Sequence, residues 1–306
     1  MFIFCSTFAD EMKAKANCKI NIGLRVVNKR EDGYHNLDTL FFPVYGLYDE
    51  VEIVESQKSK GESDRNRGRD AHVPLIAGEK AEATFVSNGI LLDCEAENNL
   101  VLKCYYQMVA KYPQIGSVRI TLDKRIPFGA GLGGGSSDAA HTALILNELF
   151  SLGLTKSQLA EEVKPLGADC PFFIYNTPCH AEGIGDVLTP VDFSLKGKRL
   201  VMVKPNVAVS TKEAYSGLIP SCKKLGDLNN WQHFENDFEK TVFAKYPEIE
   251  AIKKHLLEAG AEYAAMSGSG STVFGLFEDD AEGRTMTNLR LFEEKFASMI
   301  IFNNTL

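Results

Sequence analysis

The sequence predicts an α+β protein, and three observations carry that expectation. Residues 15–27 alternate in the manner of a strand, and Leu100 to Val109 repeat with a helical period. From Arg199 onward the elements run strand–helix–strand–strand–helix–strand, an order that suits a compact antiparallel α+β domain.

Taken in order, the chain opens with Met1-Phe-Ile-Phe-Cys-Ser-Thr-Phe-Ala-Asp10, apolar but short. With no basic n-region and Asp10 and Glu11 directly following, it argues against a signal peptide, and both Met1 and Met12 stay open as the start. In the first strand Ala16, Cys18, Ile20, Ile22 and Leu24 share one face, and Asn17, Lys19, Asn21 and Arg25 the other. Period two predicts a half-buried strand. Arg30-Glu-Asp-Gly33 reads as a hairpin turn with Gly33 at positive φ, and Val51 to Val54 as another strand. Residues 56–80 are polar and nearly free of large apolar groups, which predicts a surface insertion.

Asn98 or Asn99 caps a helix whose apolar face is Leu100, Val101, Cys104, Tyr105, Met108 and Val109. Val118 to Leu122 is a strand, and Thr155-Lys-Ser-Gln158 a capping box opening a short helix. Arg199 to Val203 is the next strand. Pro247 and Gly260 bracket a helix through Ile249, Ile252, Leu256 and Ala259. Strands at Tyr263 to Met266 and Thr272 to Phe277, a helix over 281–293 and a strand from Ala297 to Phe302 complete the chain.

Composition narrows the class. The 306 residues allow one large or two ordinary domains, and a net charge of −8 argues against a general nucleic-acid binder. Seven cysteines, an odd number without a CxxC pair, fit thiols in a reducing cytoplasm. No run approaches the roughly 18 apolar residues of a membrane span. No set of residues is spaced as a metal site; Cys94 and Cys104 lack partners, and His35 has no second ligand nearby. Monomer and homodimer are not distinguished.

Ile126 to Ala140 carries the chemistry. Five glycines fall within seven positions, Gly129 to Gly135, followed by Ser136, Ser137, Asp138 and an apolar helical run to Phe150. Glycines let backbone N–H groups crowd an anion, and the helix behind aims its unpaired N–H groups and positive dipole end at the same spot. This is a phosphate cradle. Gly129 to Gly134 formally satisfies GxGxxG, but the position about 20 residues on, where a dinucleotide fold wants an acidic ribose-binding residue, lies in an apolar helix or its exit turn, and the loop sits mid-chain after several strands. No Gly-Lys-Ser/Thr follows, and neither an HRD nor a DFG triplet occurs.

Pro127-Phe-Gly-Ala-Gly-Leu-Gly-Gly-Gly-Ser-Ser-Asp-Ala-Ala140 resembles the ATP-binding motif of the GHMP small-molecule kinases. Ala16-Asn-Cys-Lys-Ile-Asn21, Arg30-Glu-Asp-Gly-Tyr-His35, Leu166-Gly-Ala-Asp-Cys-Pro-Phe-Phe173 and Ser267-Gly-Ser-Gly-Ser271 are similar to further motifs of that family, in order. Cys18 stands where the family usually has alanine. Together they resemble the branch acting on a cytidyl alcohol in the non-mevalonate route to isoprenoid precursors. The resemblance implies a two-domain fold. Residues 1–180 would be a ribosomal protein S5 domain 2-like ATP-binding domain, and 181–306 a ferredoxin-like antiparallel α+β domain on the substrate side. It also implies transfer of the γ-phosphate of ATP to the 2-hydroxyl of the erythritol part, with Mg²⁺ travelling on the nucleotide.

The implied roles fall on named residues. Asp169 would accept the hydroxyl proton; its apolar setting makes a lone carboxylate costly, although an N-cap or turn aspartate fits the same residues. Lys19 would pair with Asp169 and meet the transferring phosphate. Pro127, Gly129, Ala130, Gly131, Leu132, Gly133, Gly134, Gly135, Ser136 and Ser137 would wrap the nucleotide. Asn99 and Lys124 would stand near it, Lys124 facing the phosphates. Tyr34 would stack on the cytosine, His35 hydrogen-bond to it, and Tyr215 close the sandwich from the other domain. Asn21 and Thr211 would contact the substrate, and the Ser267 to Ser271 loop would line the acceptor side. The alternatives are a family member acting on homoserine, mevalonate or a sugar, which has no nucleobase for the Gly-Tyr-His turn, and a non-catalytic nucleotide-binding relative.

Overall fold

The computed structural model describes residues 11–56, 71–72, 81–92, 94–278 and 284–306. Most of the expected insertion at 56–80, and all of the segment before Met12 except Glu11, lie outside the described residues. Two compact units interleave along the chain: Met1–Asn17, Tyr48–Phe128 and Gly133–Asn176 form one, and Cys18–Leu47, Gly129–Leu132 and Thr177–Leu306 the other. Residues 18–47 and 129–132, expected within a domain ending at 180, therefore count with the second unit.

Two long strands explain the interleaving. β1 (Glu11–Lys29) pairs with β2 (His35–Glu55) through the expected turn, where Arg30 N–H donates to Tyr34 O at 2.8 Å and Gly33 has φ +88°. Only Val51 to Val54 of β2 was legible, and the strand runs much further. Residues 16 to 24 of β1 are buried on both faces. The expected half-buried strand is therefore corrected: Asn17, Lys19 and Asn21 are a buried polar row.

In the first unit β3 (Ala71–His72) pairs antiparallel with β4 (Ala83–Gly89). After α1 (Leu100–Lys111), β5 (Val118–Lys124) lies parallel to β4 and antiparallel to residues 50–55 of β2. α2 (Gly134–Leu149) is buried from Ser137 to Leu146, the polar Ser137, Asp138, His141 and Thr142 included. α1 packs on it and buries Val101, Leu102, Cys104, Tyr105 and Met108. α3 (Lys156–Val163) starts with the capping box read from the sequence, Thr155 with Gln158. α4 (Cys170–Tyr175) packs on both α2 and α3. Burial pushes the Cys170 thiol up to about 12, so it behaves as a small apolar group.

The second unit holds two strand groups. β6 (Cys179–Gly183) pairs with residues 37–41 of β2 and with β7 (Val187–Pro190), both unanticipated. β8 (Lys198–Val203) precedes α5 (Thr211–Ala214), α6 (Glu239–Lys245) and α7 (Pro247–Glu258). β9 (Tyr263–Met266), β10 (Val273–Glu278), α8 (Arg284–Phe296) and β11 (Ile300–Thr305) follow. The four-stranded sheet runs β11-β8-β10-β9 with every neighbour antiparallel, the ferredoxin-like order expected. α7 covers it with Ile249, Ile252 and Leu256, starting at Pro247 as read. β11 starts three residues later than expected, and residues 281–283 of the expected helix lie outside the described residues. Among the described residues no helix is long and apolar enough to cross a membrane.

Candidate active site

The glycine loop is held by its carbonyls. Gly129 O accepts from Ser271 N–H at 3.2 Å and Ala130 O from Thr272 N–H at 3.3 Å. Gly131 O accepts from Ser267 Oγ at 2.9 Å and Lys19 Nζ at 3.2 Å, and Leu132 O from Lys19 N–H at 3.0 Å. Four consecutive carbonyls are thus drawn to one side. In a trans peptide the N–H of the next residue points opposite to the carbonyl, so the N–H groups of Ala130 to Gly133 face away from that anchor. A Cβ on Gly131 would stand 2.0 Å from Ser267 O, and its φ is +72°, so only glycine fits. The Ser267 to Ser271 loop is therefore a brace under the phosphate loop, whereas the sequence had it lining the acceptor side. Asn236, which the sequence did not point out, holds the brace by donating to Met266 O and Gly268 O, each at 2.7 Å.

Gly133 continues the chain as N-cap of α2 in left-handed geometry and offers no capping side chain. The N–H groups of Gly134, Gly135 and Ser136 therefore belong to an uncapped first turn, where the helix dipole favours an anion. Ser137 does not join them. Its N–H donates to Gly133 O at 2.9 Å and its side chain is buried 3.3 Å from His141 Nδ1. Ser137 is corrected from a nucleotide contact to an internal residue.

Lys124 is corrected as well. Its ammonium is buried between Asp49 and Asp138, 2.9 Å from Asp138 Oδ2, instead of facing phosphates. Burial lowers the Lys124 pKa, but the two carboxylates outweigh it and leave it raised. Burial pushes the Asp138 carboxyl well above the usual carboxylate range, Lys124 pulling it back and Asp49 adding to the rise. Asp49 Oδ1 also accepts the N–H groups of Arg125 at 2.6 Å and Ile126 at 2.8 Å. The triad fixes the chain entering the loop.

Asn99 is the N-cap of α1, accepting from Val101 N–H at 2.9 Å, and Leu100 lies against Gly135. Asp169 occupies the N-cap position of α4, and its half-buried side chain makes no capping hydrogen bond. Beyond the other end of α4, Asn176 exchanges two amide hydrogen bonds with Asn17, at 2.8 and 3.2 Å.

Lys19 and Asn21 form a buried pair, 3% and 1% exposed, with Lys19 Nζ 2.5 Å from Asn21 Oδ1. Asn21 Nδ2 donates to Thr39 Oγ1 at 3.0 Å, which donates to Gly23 O at 2.6 Å. This chain orients the amide. Tyr34 is 60% exposed at the hairpin tip. His35 stacks on Tyr215 with centroids 4.5 Å apart and planes 21° apart, and Tyr215 meets Phe238 edge-on at 4.8 Å. His35 thus covers a Tyr215 face, and Tyr34, His35 and Tyr215 all belong to the second unit. Burial, then the Lys29 charge, lowers the His35 pKa, so its neutral form prevails at pH 7. Thr211 Oγ1 lies 3.4 Å from Ser269 Oγ, beside the brace.

Residues 99–177 match the GHMP kinases N terminal domain and 218–288 the GHMP kinases C terminal. These matches and the loop define a GHMP-type small-molecule kinase, a class that uses ATP as phosphate donor. A 4-diphosphocytidyl-2-C-methyl-D-erythritol kinase of Bacteroides fragilis is 46% identical over 86% of this chain and 91% of its own. That of Parabacteroides distasonis is 44% identical over 86% and 90%. A crystal structure of 4-(cytidine 5'-diphospho)-2C-methyl-D-erythritol kinase superposes with TM-score 0.73 at 29% identity, covering 96% of this chain and 98% of that one. A homoserine kinase of Cytophaga hutchinsonii shares the fold at TM-score 0.69 and 18% identity, covering 99% and 97%. The chain belongs to the 4-diphosphocytidyl-2-C-methyl-D-erythritol kinase family of the GHMP kinases.

Proposed function

We propose that this protein transfers the γ-phosphoryl group of ATP to the 2-hydroxyl of 4-diphosphocytidyl-2-C-methyl-D-erythritol, releasing ADP and the 2-phosphate. The observation that carries the reading is the glycine loop: the carbonyls of Gly129 to Leu132 are tied down, the N–H groups turn away from that anchor, and the next residue, Gly133, opens α2 without a capping side chain. Such donors suit a polyphosphate whose charge must be held in place through transfer. The exposed Tyr34 beside His35 suits a nucleobase, which homoserine and mevalonate lack.

Asp169 accepts the proton of the attacking hydroxyl, and Lys19 offsets charge on the transferring phosphoryl group. Pro127, Gly129 to Ser136 and Asn99 take the nucleotide, whereas Asn21, Tyr34, His35, Thr211 and Tyr215 serve the cytidyl substrate. Mg²⁺ comes with ATP, held mainly by phosphate oxygens, and lowers the charge barrier to attack. Residues 1–180 hold the nucleotide residues together with Asn21, Tyr34 and His35 of the substrate set, and residues 181–306 add Thr211 and Tyr215. The buried thiols of Cys104, Cys170 and Cys179 suit a reducing compartment such as the cytoplasm.

The test is ADP release with the cytidyl substrate, homoserine and mevalonate offered in parallel. Turnover confined to the cytidyl substrate is expected. Equal rates with all three acceptors, or none with any, would overturn the assignment.

A further inference from the structure

β6 carries His180 and Glu182 two residues apart, hence on one face of the strand. The register sets Asp38 of β2 directly opposite Glu182, and Leu40 opposite His180. Facing carboxylates on adjacent strands repel unless a cation lies between them. Asp38 is 1% exposed. Its Oδ1 accepts from His180 Nε2 at 3.0 Å and from Leu225 N–H at 3.3 Å. Its Oδ2 is buried with no hydrogen-bond partner among the described residues. A dry carboxylate oxygen is costly and asks for a ligand.

One ligand atom each from Asp38, His180 and Glu182 lies within 4.8 Å of the others. We propose that these three side chains bind a divalent cation of borderline softness, Zn²⁺ or an ion of like chemistry, with water completing the shell. One imidazole and two carboxylates suit such an ion better than Mg²⁺, which prefers oxygen alone and keeps most of its water. At present Lys224 Nζ sits 2.7 Å from Glu182 Oε1, with side chains 66% and 38% exposed. An exposed ion pair of this kind contributes little, so an arriving ion displaces it readily. His180 and Glu182 are partly exposed and give the ion a path in. Asp38 lies on the opposite face of β2 from His35 and Thr39, since odd and even positions diverge. The site is therefore distinct from the substrate-side residues, and an ion here clamps β2 to β6.

The test uses the full-length protein stripped with a chelator, then titrated with Zn²⁺, and separately with Co²⁺, in excess Mg²⁺. A single equivalent is expected, with a rise in Tm and a Co²⁺ spectrum of nitrogen and oxygen ligation. His180→Gln and Glu182→Gln should each weaken Zn²⁺ binding by more than about tenfold, with the parent's Tm in chelator. Should His180→Gln fail to fold, the Glu182→Gln titration decides. No uptake, equal affinity in parent and Glu182→Gln, or a Co²⁺ spectrum dominated by thiolate charge transfer overturns the proposal.

Discussion

Lys124 donates to Asp138 across 2.9 Å with both side chains buried, and Asp49 closes the triad. The ammonium thereby links the end of β5 to the second turn of α2, on either side of the glycine loop. Removing it strands two carboxylates in the interior. Lys124→Ala should lower unfolding free energy by about 3–5 kcal/mol. Asp138→Asn keeps a hydrogen-bond acceptor for Lys124 and leaves one charge pair, so about 1 kcal/mol or less is expected. Urea denaturation of both variants reads the difference. Equal losses would mean that the triad is not the source of the effect.

Two glycines of the loop separate strain from collision. Gly129 has φ +57° with nothing within 4 Å of its would-be Cβ, while at Gly131 a Cβ would strike Ser267 O. Gly129→Ala should cost only the left-handed conformation, about 1–2 kcal/mol. Gly131→Ala must also push the loop off its brace, so the KM for ATP should rise at least about tenfold above that of Gly129→Ala, an extra 1.4 kcal/mol or more. Matched KM values would show that the brace does not set the loop.

The phosphate loop, the hairpin turn, the capping box at Thr155 and the order from β8 to β11 were legible because each is encoded by neighbours in the sequence. What escaped notice depends on distant pairs. The first half of β2 lacks clean alternation because burial on both faces erases it, as Leu40, Phe41 and Val44 illustrate, and β6 is only five residues long. Lys124 precedes a phosphate loop and so read as a phosphate ligand; only the fold brings Asp49 against it. Asn236 and Thr39 carry no motif. Asp38 and His180, 142 residues apart, meet only through strand register.

Tyr34 stands exposed while Tyr215 is covered by His35, so the two tyrosines should respond differently. Loss of one base–aromatic stack, about 1–3 kcal/mol, corresponds to a roughly 5- to 150-fold rise in KM. Tyr34→Ala should raise KM for the cytidyl substrate by that amount and leave KM for ATP nearly unchanged. Tyr215→Leu should act by releasing His35, with a smaller rise. Steady-state kinetics against each substrate separates the cases, and parallel rises for both substrates in Tyr34→Ala would remove Tyr34 from the cytidine pocket.

Asp169 sits at the start of α4 without a capping hydrogen bond. Asp169→Asn preserves shape and removes the base. A fall in kcat of about 100-fold or more is expected, the usual scale for general-base loss, with ATP affinity by calorimetry and Tm both near parent values. Near-parent kcat would exclude Asp169 as the base. A large drop in Tm would instead mark it as structural.

His141 should make stability fall in mild acid. It is buried in α2, with Nδ1 donating to Ser137 O at 2.8 Å, and burial lowers its pKa from 6.5 to about 4. Below pH 6.5 the unfolded chain protonates this imidazole, while the folded chain keeps it neutral until about pH 4. The unfolded state therefore binds more protons in that window, and the stabilisation present above pH 6.5 drains away as pH falls. A pKa lowered from 6.5 to about 4 corresponds to a loss of about 3 kcal/mol by the time pH 4 is reached. Other carboxylates titrate in the same range, so the quantity to measure is the difference between parent and His141→Gln in urea unfolding from pH 7.5 to 4. That difference should shrink by about 3 kcal/mol over the window, the parent losing its advantage as acid is added. A pH-independent difference would mean that His141 is protonated in the folded core, against the burial that surrounds it.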